Sequence, residues 1–164
     1  MKIVRNIILL ILFAALSWAA DFLWRSEADF TGKVIRVIDG DTLEISQGKH
    51  SLVRIRLMGV DCPEWDQPFG TKAKQFTADL AYGKAAMVKK HGNDDYGRTL
   101  GEIILEDGRN VNQELVRSGM AWWYRKYAPR DRKLQRLEAA ARKEKIGLWS
   151  GGSPVAPWQW RDRR

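Results

Sequence analysis

Short β-rich runs, an Asp-Gly hairpin signal and three helical periodicities predict an α+β fold centred on a small β-barrel. The first run, Gly32–Ile38, meets the second, Asp41–Gln47, across Asp39-Gly40. Asp-Gly between two such runs is a strong short-range hairpin signal, because a type I′ turn needs positive φ at both central positions. Ser51–Val60 alternates: Val53, Ile55 and Leu57 face one way, Arg54, Arg56 and Met58 the other. Ala85–Lys90 and Arg98–Glu106 supply a fourth and a fifth strand. Thr71–Ala81 sets Ala73, Phe76, Thr77 and Leu80 near one helical face. Asn110 and Gln113 form a capping-box pattern ahead of Val111, Leu115 and Val116, and Gly119 closes that helix. Asp131, after Pro129, opens Arg132–Lys145, where Leu134, Leu137 and Ala141 recur at i, i+3 and i+7 until Gly147. Three strands, a helix, two strands and two more helices is the order of a five-stranded OB-type barrel with about three helices.

The chain has 164 residues, room for one sizeable domain. Hydrophobic residues at 45% and charged residues at 29% exclude collagen-like, Pro-rich and strongly disordered classes. A single cysteine, Cys62, excludes an intrachain disulfide framework and multi-cysteine zinc sites. At the N-terminus, Lys2 and Arg5 precede an uncharged run, Ile7–Ala20, with small residues at Ser17 and Ala19. Residues 1–19 therefore read as a signal peptide cleaved after Ala19, which makes the protein secreted or periplasmic. The run falls short of the ~20 residues a bilayer span needs. Phe22, Leu23 and Trp24 extend it, so an uncleaved membrane anchor is the second reading. Residues 20–30 form a polar linker, 31–149 the domain and 150–164 a Gly/Pro-punctuated tail expected to be irregular. A monomer is expected. The net charge is +8, and without residues 1–19 it is still +6, so the basic character belongs to the domain. That points to a polyanionic partner, nucleic acid or an anionic membrane surface.

Asp41 is unusual in a strand and shares the inward face of Leu43 and Ile45, which places it at the barrel mouth or makes it a turn-flanking carboxylate. Asp39 is accounted for by the turn. Arg56 precedes Asp61-Cys62-Pro63-Glu64, where Pro63 fixes its own φ and extends Cys62, so the loop presents its polar groups stiffly. Asp41, Asp61 and the main-chain carbonyl of Cys62 together offer hard oxygen ligands suited to Ca²⁺. His50 and His91 lack the paired spacing of a zinc site. Arg98 follows the turn Asp94-Asp95-Tyr96-Gly97 and is either a solvated surface residue or part of the same mouth. Arg130–Lys145 carries seven basic and three acidic residues, a basic face for nucleic acid or a solvated face helped by the Glu138–Arg142 pair. Trp122, Trp123, Tyr124 and Tyr127 either pack in the core or stack on bases.

Together, Ile38-Asp39-Gly40-Asp41-Thr42, Arg56-Leu57 through Val60-Asp61-Cys62-Pro63-Glu64, and Asp95-Tyr96-Gly97-Arg98 resemble the staphylococcal-nuclease-like (thermonuclease) family. Asn112–Gly119 and Ala139–Trp149 look like its helical segments, and the likeness runs from about Phe30 to Trp149 with order and spacing intact. The resemblance implies an SNase-like OB barrel and a Ca²⁺-dependent phosphodiesterase that cuts DNA and RNA with little sequence preference, leaving 3′-phosphate ends. It implies Asp41 and Asp61 as metal carboxylates, Cys62 as a main-chain ligand, Arg56 and Arg98 as the pair that grips phosphate, and Glu64 as the residue that activates water. Cys62 stands where the family commonly has threonine, a departure that bears on metal affinity. A non-catalytic OB module that binds single strands is the rival, and it predicts loss of the carboxylate–arginine set. A membrane-surface protein is a third reading, and it leaves the Asp–Pro–Glu block unexplained.

Overall fold

The computed structural model describes residues 29–48 and 51–163; the signal or anchor segment, the linker up to residue 28 and His50 lie outside the described residues. In chain order the strands are β1 (Phe30–Asp39), β2 (Thr42–Ser46), β3 (Leu52–Leu57), β4 (Val60–Asp61), β5 (Ala85–Asn93), β6 (Thr99–Leu105) and β7 (Trp122–Trp123). The helices are α1 (Gly70–Ala81), α2 (Val111–Arg117), α3 (Arg132–Lys143) and α4 (Pro157–Arg161), with a 3₁₀ turn at Gly147–Gly151. Strands β1-β2-β3-β6-β5 close a barrel in that order, and β4 pairs with β7. The predicted five-stranded α+β barrel is therefore the observed architecture. Phe30, placed in the linker by sequence, opens β1 and pairs with Val88.

Three local results position the mouth. The β1–β2 hairpin forms, but Asp39 pairs with Thr42, so the turn residues are Gly40 and Asp41. Gly40 is not among the positive-φ residues, so the expected type I′ turn is corrected. What demands glycine here is space: a Cβ would lie 2.7 Å from the Cys62 Cβ and 2.8 Å from its Sγ. The closing pair, β3 with β6, is parallel, with Ile55 opposite Thr99 and Arg56 opposite Leu100. It brings the turn that carries Arg98 beside the strand that carries Arg56.

The inward stripe of the barrel (Val34, Leu43, Ile45, Ile55, Leu57, Val88, Ile103 and Leu105) is fully buried. Burial of each such side chain is worth ~1.5–3 kcal/mol. Helix α1 lays Ala73, Thr77 and Leu80 against it, and the Thr77 hydroxyl donates to the Gly40 carbonyl at 2.6 Å, tying the helix to the hairpin turn. Asn110 caps α2 by accepting from the Gln113 N–H at 3.1 Å. Asp131 caps α3 by accepting from Lys133 and Leu134, both at 2.9 Å.

Two expectations fail in the C-terminal third. The Glu138–Arg142 pair exists at 3.3 Å, but Glu138 is buried and accepts from the Trp123 N–H at 3.2 Å, so it anchors β7 rather than decorating a solvated face. The tail is not irregular throughout. Trp122, Ala141, Leu148, Trp149 and Ala156 form a second small core, joined by Phe69 and Trp158, on which α4 is seated. Pro157 occupies the first turn of that helix, where a missing N–H costs nothing. Among the described residues no helix is long and apolar enough to cross a membrane.

Candidate active site

At the mouth of the barrel lies a cleft of about 610 Å³, lined by the β1–β2 turn, the end of β3, the loop after β4 and the turn before β6. Asp41, Arg56, Asp61, Cys62, Glu64 and Arg98 all reach it. The six positions singled out by sequence thus converge, although they come from three separate stretches of chain.

Hydrogen bonds explain the convergence. Asp41 Oδ2 accepts the Cys62 N–H at 2.7 Å, which pins the loop to the hairpin. Arg56 is the hub. Its Nη1 donates to the carbonyls of Leu57 and Val60, both at 2.8 Å. Its Nη2 lies 2.7 Å from Asp61 Oδ1 and 3.1 Å from Asp41 Oδ2. The Arg56 side chain is only 14% exposed. Burial works against its charge, but Asp41 and Asp61 outweigh burial and raise its pKa. Arg98 is steadied through Asp94, whose Oδ2 accepts from Nε at 2.7 Å, and its guanidinium lies 5.4 Å from the Tyr96 ring centroid. Slight burial pushes the Asp94 carboxyl up, but hydrogen bonds from Arg98 prevail and hold it below the ordinary range.

The carboxylates are crowded. The Asp61 side chain is 1% exposed, and its pKa is pushed up to about 6, first by burial and then by the charge of Asp41, against the pull of two arginines. Asp39 is likewise raised to about 6 by burial and by Asp41. Sequence reasoning assigned Asp39 to the turn alone. The turn itself brings the two carboxylates together, since Asp39 Oδ1 accepts the Asp41 N–H at 3.2 Å. Burial, reinforced by Asp41, pushes the Cys62 thiol well up, so its sulfur stays protonated and is no thiolate ligand.

A second missed residue is Arg161, on α4. Its Nη2 lies 2.9 Å from Asp61 Oδ2 and its Nη1 2.6 Å from Glu64 Oε1. Aromatic side chains complete the rim: Trp65 is 78% and Tyr96 85% exposed. Tyr124 and Tyr127 line the same cleft, while Trp122 and Trp123 are buried in the core. His91 sits apart, paired with Glu102 at 3.0 Å.

The donor set fits a hard divalent cation. Crowded aspartates whose pKa values are raised first by burial and then by the charge of Asp41 are an arrangement a cation relieves, and every candidate ligand atom is oxygen. Among the described residues no three His, Cys, Asp or Glu side chains already converge as a metal cage.

Carboxylates and arginines gathered at the open end of an OB-type barrel are the equipment of an enzyme acting on phosphate esters. Residues 54–151, more than half of the chain, match the model of the staphylococcal nuclease homologue family. The chain belongs to that family. It is 44% identical over 137 residues to an uncharacterized endonuclease of Escherichia coli O157:H7, covering 84% of this chain and 88% of the relative. It is 39% identical over 143 residues to a micrococcal nuclease of Shigella flexneri, covering 82% of each. Staphylococcal-like nuclease CAN1 of Arabidopsis thaliana is 34% identical over 144 residues, 85% of this chain and 43% of that protein. Family and relatives support a nuclease function and a nucleic-acid substrate.

Proposed function

We propose that this chain is a Ca²⁺-dependent nuclease that hydrolyses phosphodiester bonds of DNA and RNA with little sequence preference and leaves 3′-phosphate ends. One observation carries it: Asp41, Arg56, Asp61, Glu64 and Arg98 line a single cleft. A non-catalytic binding module has no need of that set. Asp41, Asp61 and the main-chain oxygen of Cys62 are the groups that would hold the cation. When bound, Ca²⁺ supplies Lewis-acid polarisation of the phosphoryl oxygen and eases deprotonation of water.

The remaining work falls to side chains. Phosphodiester hydrolysis adds an oxygen nucleophile to an anionic centre, so the barrier is largely electrostatic. Arg56 and Arg98 approach the cleft from β3 and from the turn before β6; Arg56 brings a fixed positive charge to the phosphate, and the Arg98 fork suits its oxygens where a lysine offers a point charge. Because Arg56 anchors Nη1 to two carbonyls, the guanidinium is preorganised and loses little freedom when it meets an anion. Glu64 accepts the proton from the attacking water, and Pro63 with the Glu64 N–H to Gln67 Oε1 bond at 3.1 Å holds its loop. Exposed Trp65 and Tyr96 offer faces on which unpaired bases stack irrespective of sequence, at ~1–3 kcal/mol per base. The basic head and apolar run of residues 1–19 support export, with that segment as signal or anchor.

Purified protein incubated with denatured DNA and with RNA, in Ca²⁺ or in excess chelator, provides the test. The expected result is degradation of both polymers in Ca²⁺ only, with 3′-phosphate termini on the fragments. Equal degradation in chelator rejects the cation assignment. Intact polymers that are nevertheless bound establish the binding-module rival instead.

A further inference from the structure

The C-terminal helix is built to deliver one guanidinium to the cleft. Trp158 of α4 stacks on Tyr124, with centroids 5.1 Å apart and planes 4° from parallel. Trp160 Nε1 donates to Asp66 Oδ1 at 3.3 Å. Gln67, which is buried, joins tail to loop: its Oε1 accepts the Glu64 N–H at 3.1 Å, and its Nε2 donates to the Val155 carbonyl at 2.7 Å. Arg161 therefore bridges Asp61 and Glu64 from a seated helix, across 100 residues of sequence. It also lies outside the stretch, 54–151, that matches the family model.

Both oxygens of Asp61 are committed to arginines. Oδ1 faces Arg56 Nη2 at 2.7 Å and Arg161 Nη1 at 3.4 Å, while Oδ2 faces Arg161 Nη2 at 2.9 Å. These contacts fill most of the acceptor directions of Asp61, so a cation that uses this carboxylate competes with one of the donors. Arg56 is held by two main-chain carbonyls and is nearly buried. Arg161 has a 40% exposed side chain at the end of a five-residue helix, and among the described residues its side-chain ion pairs are with the two carboxylates alone. Arg161 is the one that yields. Its positive charge also opposes a divalent ion at the same carboxylate.

We propose that Arg161 is a positioning residue of the active site, whose clasp on Asp61 and Glu64 competes with the divalent cation, so that the C-terminal helix sets the cation concentration at which the site fills. The inference rests on the cation reading of Asp41 and Asp61 given above. While closed, the clasp holds the Glu64 carboxylate on a guanidinium. Release of Arg161 would free Glu64 to accept a proton, so filling of the site and readiness of the base would be linked. By linkage, a closed clasp and a bound cation oppose each other, so whatever weakens the clasp tightens cation binding.

Calorimetric Ca²⁺ titration of the chelator-stripped full chain, without nucleic acid, tests this on wild type, Arg161→Ala, Arg161→Gln, Arg161→Lys and Trp158→Ala, each checked for native circular dichroism. The expected result is about tenfold tighter binding in Arg161→Ala and Arg161→Gln, equivalent to ~1.4 kcal/mol. Arg161→Lys, which keeps the charge, stays closer to wild type. Trp158→Ala shifts the same way as Arg161→Ala by loosening the helix without altering charge, and it decides the matter if the Arg161 variants do not fold. Unchanged or weaker affinity, alongside intact Ca²⁺-dependent cleavage, overturns the clasp and leaves the nuclease assignment standing. No Ca²⁺ binding by any variant overturns the cation reading and the clasp with it.

Discussion

Asp61→Asn removes a titrating group from the most crowded point of the cleft, and its effect on stability has a definite sign. The Asp61 pKa is pushed from 3.8 to about 6, by burial and then by Asp41. Between those values the folded chain keeps a proton that the unfolded chain has lost. The stabilisation this group provides is therefore complete below about pH 4 and is lost as pH rises through about 6. A shift of that size corresponds to on the order of 2–3 kcal/mol, or roughly 5–10 °C in thermal midpoint for a chain of this length. Asp39 adds to the same slope, because its carboxyl is raised to about 6 for the same reasons. Asp94 and Asp107, held below the ordinary carboxylate range, act in the opposite sense and at lower pH, so the two windows separate. Thermal unfolding of chelator-treated wild type and Asp61→Asn, from pH 4 to 7.5, reads the effect directly. Wild type loses stability across pH 4–6.5, and the variant loses distinctly less. Parallel curves for the two proteins, or a wild-type midpoint that climbs through this window, refute the electrostatic account of the cleft.

Other perturbations reach different parts of the fold. Glu138→Ala strands the buried Trp123 N–H and leaves a void beneath β7, so urea unfolding should show a loss of about 2–4 kcal/mol. At Gly70 a Cβ would overlap the Glu64 carbonyl, so Gly70→Ala shifts the loop carrying Glu64. Cleavage should then fall more steeply than stability, measured by comparing initial rates with thermal midpoints. Arg98→Lys keeps the charge but loses the two-pronged fork. A drop in cleavage rate of about tenfold or more is expected, and wild-type rates would show that charge alone suffices there.

The barrel is legible in the sequence because its determinants are local. The alternation in Ser51–Val60, the caps at Asn110 and Asp131 and the Gly-containing hairpin each depend on residues a few positions apart. The core of the site is legible for a related reason: Asp41, Arg56 and the Asp61–Glu64 loop sit at the ends of predicted strands, and strand ends gather at a barrel mouth. What escapes is set by tertiary contact. Glu138 looks solvent-facing among lysines and arginines, yet the Trp123 backbone draws it inside. Arg161 sits in a Gly/Pro-punctuated tail without a periodic pattern, and only the second core under α4 gives it a fixed place. Gly40 reads as a turn glycine, whereas its requirement comes from Cys62 packed against it.

The most direct measurement is the initial rate of Ca²⁺-supported cleavage of a single-stranded oligonucleotide by wild type, Asp41→Asn, Arg56→Ala and Arg98→Ala, all shown to be folded. Loss of preorganised charge at one phosphoryl centre predicts that each substitution lowers the rate by about 10²–10³-fold. Variants that fold normally and cut at the wild-type rate would contradict a shared catalytic cleft.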